Sequence, residues 1–162
     1  MKAIVYTKYG PPDVLQLKEV EKPTPEDDEV LIKVHAASAN AADWHLLRGD
    51  PFLLRLTGTG LLKPKNKILG ADVAGRVEAV GRNAKQFQPG DDVFGDISAD
   101  GWAGFAEYVS VPESAMVLKP ANISFEEAAA VPMAAVTALQ GIRDKGQIQP
   151  GQGPRRSGAP TS

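Results

Sequence analysis

Along the first part of the chain, apolar and polar residues alternate with the period of two that a half-buried sheet imposes on an extended strand. Ala3-Ile4-Val5-Tyr6 and the run Val14 to Val20 predict a strand pair around the turn Tyr9-Gly10-Pro11-Pro12. A proline-rich acidic loop follows from Lys22 to Glu29. Val30, Ile32 and Val34 then fall on one strand face and Leu31, Lys33 and His35 on the other, so His35 is expected at a strand surface. Asp43 to Arg48 suits a short helix, with Asn40 or Asp43 as N-cap, Gly49 as its stop and Pro51 barring continuation. Residues 51–67 hold Phe52, Leu53, Leu54, Leu56, Leu61 and Leu62 without clean periodicity and predict a loop with apolar contacts. Short strands are expected again at Val73 to Val80, Asp92 to Phe94, Phe105 to Val111 and Met116 to Leu118, each bounded by Gly or Pro. Such spacing predicts a mainly β fold, a twisted and partly closed barrel with short helices.

The pattern changes at Pro120. Ser124 with Glu127 three residues on forms a capping box, and the alanine-rich stretch through Thr137, Leu139 and Ile142 is helical apart from Pro132, which must break or restart it. Residues 151–162 contain no Val, Ile, Leu or aromatic side chain and cannot build core. The expected organisation is therefore a barrel domain over 1–120, a helical connector over 121–150 and a flexible tail over 151–162.

Composition narrows the chemistry. At 43% hydrophobic, 162 residues supply enough apolar side chains for one core and too few for two large ones. Lys and Arg total 18 against 20 Asp and Glu, so no basic excess draws a nucleic acid to the surface. The lack of cysteine excludes disulfides, iron–sulfur clusters and thiolate zinc sites, and it suits a reducing compartment, expected here to be the cytoplasm. No apolar run approaches the roughly 20 residues of a membrane span.

The run Lys67-Ile68-Leu69-Gly70-Ala71-Asp72-Val73-Ala74-Gly75-Arg76-Val77-Glu78-Ala79-Val80-Gly81, followed by Gln88-Pro89-Gly90-Asp91-Asp92-Val93-Phe94, resembles the GroES-like N-terminal domain of the medium-chain dehydrogenase/reductase family. The resemblance extends over about residues 1–150, through Asn40-Ala41-Ala42-Asp43, Phe105 to Val109, Ala128 to Pro132 and Val136-Thr137-Ala138-Leu139. Within that family the chain is most similar to the zinc-free quinone oxidoreductases and related enone reductases. The glycines of the run have an independent physical reading as barrel corners, where a side chain would collide or the backbone needs positive φ.

Zinc-dependent members of the family offer Cys, His and Cys to a catalytic metal, and the matching positions here are Asn40, Ala71 and Met133. Ala and Met are not strong zinc ligands, so no metal is expected. His45 stands where those relatives often carry a proton-relay histidine, but Ala42 lacks the first relay hydroxyl, and an exposed helix histidine is the simpler reading.

What the resemblance implies is hydride transfer, with the reactive atom carried by NADPH or NADH and the protein supplying orientation and polarity. Asn40 would then be the catalytic donor facing the nicotinamide or the substrate carbonyl, its plain alternative being a helix cap. Asp43 would anchor the Asn40 loop on the cofactor side or serve only as a helix N-terminal carboxylate, and Thr137 would contact the nicotinamide. Trp44, Phe52 and Leu54 would line a pocket for a flat quinone or enone, unless they are ordinary core. The intact protein is expected to be a cytoplasmic homodimer reducing quinones or α,β-unsaturated carbonyls. A stand-alone binding or assembly module without catalysis is the alternative.

After Gln152 the family continues with a Val/Leu-rich strand and a glycine-rich turn, the opening of a Rossmann domain that cradles the pyrophosphate. This chain instead reads Gly153-Pro154-Arg155-Arg156. Shifted by one base, codons GGN-CCN-CGN-CGN become GNC-CNC-GNC and can spell Val-Leu-Val. A frameshift is thus expected to have replaced the cofactor domain by the tail, with a cloning scar or a true gene end as competitors.

Overall fold

The computed structural model describes residues 1–53 and 55–147. Strands β1 (Lys2–Val5) and β2 (Gln16–Glu19) form an antiparallel ribbon with Ile4 opposite Leu17. The second strand begins later than the alternation predicts, because Pro12–Val14 closes a 3-10 turn in which the Leu15 N–H donates to the Pro12 carbonyl at 2.9 Å. The larger sheet holds β3 (Glu29–Ser38), β4 (Asp72–Val80), β5 (Asp92–Asp96), β6 (Tyr108–Pro112) and β7 (Val117–Leu118) in the order β6-β3-β4-β5-β7. All its pairings are antiparallel. With β6 and β7 as edges it remains an open, mainly β structure, and single bridges from Ala3 to Ala106 and from Val5 to Ile68 tie the ribbon to it.

Period-two positions build the core. Val30 and Ile32 of β3, Val73 and Val77 of β4, Val93 of β5, and Val109 and Val111 of β6 are buried together with Phe87, Ile97 and Met116. Leu31, expected to face outward, is buried too; a register shift between Leu31 and Ile32 breaks the alternation there. His35 is exposed as expected, and its ring stacks on Phe125 with 4.4 Å between centroids.

Helix α1 (Ala41–Arg48) starts from Asn40 as N-cap and ends at Gly49, whose φ of 60° lets its N–H reach the carbonyls of His45 and Leu46. Tyr6, Leu47 and Leu69 pack beneath it. The segment after α1 differs from its prediction: Phe52, Leu53, Leu56 and Leu62 stand exposed. Polar tethers hold this segment instead, the Tyr9 hydroxyl donating to the Thr59 and Gly60 carbonyls and the Arg55 side chain donating to the carbonyls of Arg48 and Gly49.

Helices α2 (Phe125–Ala129) and α3 (Pro132–Leu139) are separated as Pro132 requires, and the Ser124/Glu127 capping box opens α2. Ala128 and Ala129 pack on Ala74 of β4. By contrast α3 buries no residue and exposes Val136 and Leu139. Leu54, residues 148–150 and the predicted tail over 151–162 lie outside the described residues.

Candidate active site

Two buried carboxylates organise the end of the sheet next to α1. Asp43, third residue of the helix, accepts the Asn40 N–H at 2.7 Å through Oδ2 and the Gly70 N–H at 2.8 Å through Oδ1. Gly70 presents that N–H from a turn with φ of +101°, a conformation that alanine resists. Asp72, the first residue of β4, is wholly buried. It accepts from the Ser38 hydroxyl at 3.1 Å, from Asn40 Nδ2 at 3.2 Å and from the Met133 N–H at 3.2 Å. The end of β3, the cap of α1, the start of β4 and the first turn of α3 therefore converge on one carboxylate.

The structure gathers the three positions matched above to zinc ligands: Asn40 and Met133 both bond Asp72, the neighbour of Ala71. At those positions Asn40 is committed through Nδ2, Met133 is held through its backbone N–H, and Ala71 carries only a methyl. Among the described residues no group of three or more His, Cys, Asp or Glu side chains comes together to hold a metal ion.

Burial raises the pKa of Asp43, the bonds from Asn40 and Gly70 pull it back, and the charge of Asp72 raises it again. For Asp72 burial is again the largest cause, offset by the bonds from Met133, Asn40 and Ser38. A carboxyl whose folded pKa is raised favours the native state by binding a proton. That contribution is complete below the ordinary value of 3.8 and is lost as pH climbs through the raised value. The melting-temperature advantage of the native chain over Asp72→Asn is accordingly expected to shrink from about pH 3.8 upward, and an advantage that grows with pH in scanning calorimetry would contradict it.

Asn40 is half-buried, and its Nδ2 also donates to the Ser38 hydroxyl at 3.2 Å. Both Nδ2 protons are thus engaged within the protein. Asp43 holds the Asn40 backbone with both oxygens engaged. Thr137 is exposed one helical turn beyond Met133 on the same face of α3.

A cavity of about 340 Å³ lies against α1, lined by Ala42, His45, Leu46, Pro51 and Trp102. Neither Trp44 nor Phe52 is in that lining. Trp44 is 46% exposed with the Arg48 guanidinium 4.7 Å over its ring, and Phe52 is 58% exposed with Arg55 5.6 Å over its own. His45 is exposed at the end of α1, its Nδ1 2.8 Å from the Asp50 carbonyl oxygen. Sequence reasoning missed Asp72, whose only signal was a lone carboxylate in an apolar strand. Trp102, which the sequence places in a glycine-rich turn as a partly exposed aromatic, is half-buried there and with Ala103 holds positive φ values of 68° and 87°.

The sequence profile of the alcohol dehydrogenase GroES-like domain matches residues 26–121. The chain belongs to this family. It is 41% identical to the 2-methylene-furan-3-one reductase of Solanum lycopersicum over 90% of the chain and 38% of that protein. The quinone oxidoreductase of Coxiella burnetii superposes on 93% of the chain with a TM-score of 0.82 at 34% identity, covering 46% of the solved structure. The Escherichia coli quinone oxidoreductase, solved in complex with NADPH, gives 0.80 at 28% identity over 93% of this chain and 43% of its own. The chain spans less than half the length of the curated relatives it matches. Its relatives are oxidoreductases of quinones and alkenals, its fold is that of their N-terminal half, and no helix among the described residues is long and apolar enough to cross a membrane.

Proposed function

We propose that this chain supplies the N-terminal, substrate-binding half of a zinc-independent, NADPH-dependent reductase that delivers hydride to quinones or α,β-unsaturated carbonyls. The observation that carries the reading is the Asp72 hub, which ties Asn40 to the head of α3, while an apolar cavity lies against α1. Asn40 holds the nicotinamide side and the carbonyl, Asp43 fixes the Asn40 backbone, and Thr137 contributes from the exposed face of α3. Trp44 and Phe52, both exposed, edge the approach for a flat substrate. NADPH, when bound, supplies the hydride, and solvent completes the protonation. NADH is the alternative donor, the compartment proposed is the cytoplasm, and the intact protein is proposed to be a homodimer.

A chimera with residues 1–147 in place of the matching segment of the tomato reductase is expected to oxidise NADPH in the presence of an enone. Its Asn40→Ala variant is expected to lose roughly tenfold to a hundredfold in kcat. A chimera that folds cooperatively but leaves NADPH untouched would sink this reading, whereas the 162-residue chain by itself is expected to oxidise NADPH no faster than background. The exposed apolar side of α3 favours one second reading, an assembly module without catalysis. A monodisperse oligomer of the purified chain in light scattering would support that instead.

A further inference from the structure

Four polar residues, Tyr6, Lys65, Asn66 and Ser98, line one cavity of about 370 Å³, and among the described residues none of their side chains has a hydrogen bond or an ion pair. Stretches far apart in the sequence bring them together. Tyr6 follows β1, and its N–H donates to the Lys67 carbonyl at 2.9 Å, which sets it beside residues 65 and 66. The Lys65 N–H donates in turn to the Thr59 carbonyl at 2.8 Å and closes that loop. Ser98 opens the 3-10 turn Ser98–Asp100 after β5, where its N–H donates to Asp96 Oδ1 at 2.8 Å and the Ile97 N–H donates to the Ala71 carbonyl at 2.7 Å. Tyr6 is 3% exposed, and its hydroxyl lies within that exposed remainder, because no sealed side-chain oxygen or nitrogen among the described residues lacks a partner. Leu46 and Trp102 add apolar wall to the same cavity.

We propose that this cavity is a binding site for a small organic carboxylate, whose charge Lys65 neutralises and whose oxygens take hydrogen bonds from Tyr6, Asn66 and Ser98. The reductase reading uses none of these four side chains, so the site goes beyond it. Charge decides the sign of the ligand. Among the described residues Lys65 is the one charged side chain in the lining, with no Asp or Glu beside it. Asp96 accepts the Ser98 N–H, Asp43 accepts two backbone N–H groups, and Asp100 is exposed outside the lining. One ammonium with three neutral donors matches a single negative charge spread over two oxygens, whereas a phosphate dianion would keep a charge without a counter-cation. Burial and the nearby Tyr9 and Asp43 push the Tyr6 pKa up to about 12, so the phenol keeps its proton across the neutral range and stays a donor. The volume falls within the roughly 300–1,000 Å³ of small-molecule sites, and Leu46 with Trp102 offers the organic part of the ligand an apolar contact.

The test is titration of the full chain with sodium benzoate at fixed ionic strength, followed by amide chemical shifts and calorimetry, with benzamide as the neutral probe of the same shape. Benzoate is expected to shift the amides of residues 65–67 and 98–102 saturably, and benzamide to bind roughly tenfold more weakly. Lys65→Met, at an exposed position, is expected to lose roughly tenfold in benzoate affinity and Tyr6→Phe roughly threefold to fivefold. Both variants are expected to melt within about 2 °C of the native chain, because neither side chain bonds another part of the protein. Lys63→Met removes an equal charge outside the cavity wall and is expected to leave benzoate affinity within about twofold. Equal binding of benzoate and benzamide, an equal loss in Lys63→Met and Lys65→Met, or no saturable shift would overturn the site and leave the reductase reading standing. Tighter binding of inorganic phosphate than of benzoate to the same residues would overturn the assignment to a carboxylate.

Discussion

Alanine at position 70 is expected to destabilise the chain by about 3 kcal/mol or more, lowering the melting temperature by roughly 10 °C. Two costs coincide there. The backbone has φ of +101°, which an L-residue adopts only with strain, and an added Cβ would lie 2.6 Å from the Phe105 nitrogen and 2.8 Å from the Gly104 Cα and carbonyl carbon. Those atoms are backbone, fixed by bonds from the Gly104 N–H to the Gly70 carbonyl and from the Phe105 N–H to the Leu69 carbonyl. They cannot swing aside as a side chain would. Gly90 is an internal control: its φ is +103° but nothing lies within 4 Å of an added Cβ, so Gly90→Ala is expected to cost only about 1 kcal/mol. Urea titrations of both variants decide the matter, and equal midpoints would show that the close approach at Gly70 has no energetic weight.

The effect reaches the site. Gly70 donates to Asp43, Asp43 accepts from Asn40, and Asn40 donates to Asp72, so a displaced turn at residue 70 moves the whole chain of contacts. The capping of α1, the stop at Gly49, the break at Pro132 and the Ser124/Glu127 box were legible in the sequence because each is a contact between near neighbours. Likewise the valines and isoleucines of β3, β4, β5 and β6 announced their burial through the period of two. What remained hidden depends on pairs far apart in the chain. Asp72 meets Asn40 across 32 residues and Met133 across 61, and no local pattern encodes either contact. The bulge at Leu31 and Ile32 is likewise a property of the pairing with β4. Trp44 and Phe52 read as pocket residues because large aromatics favour burial. In the fold, cationic Arg48 and Arg55 side chains lie over their rings at the surface.

Removing the Asp72 carboxylate is expected to have a consequence of similar size. The residue is 0% exposed, and Asp72→Ala strands the Ser38 hydroxyl and the Met133 N–H without an acceptor and leaves the Asn40 amide only its bond to Ser38. An unsatisfied donor in the interior costs on the order of 1–3 kcal/mol, so the two together with the weakened Asn40 contact place the loss at about 3 kcal/mol once the relief of desolvating one charge is deducted. That is a large share of the stability of a domain this size. Asp72→Asn keeps the shape and one acceptor oxygen with two lone pairs, but it turns the other oxygen into a donor among three donors, and is expected to recover about half of the loss. The distinguishing result is local. Amide exchange at Met133 and along α3 should accelerate in Asp72→Ala more than exchange in β3 and β6, because Met133 is the residue through which that carboxylate holds the helix. Uniform acceleration across both sheets would mean that Asp72 is only a core residue, and the case for a hub that positions Asn40 against α3 would fall with it.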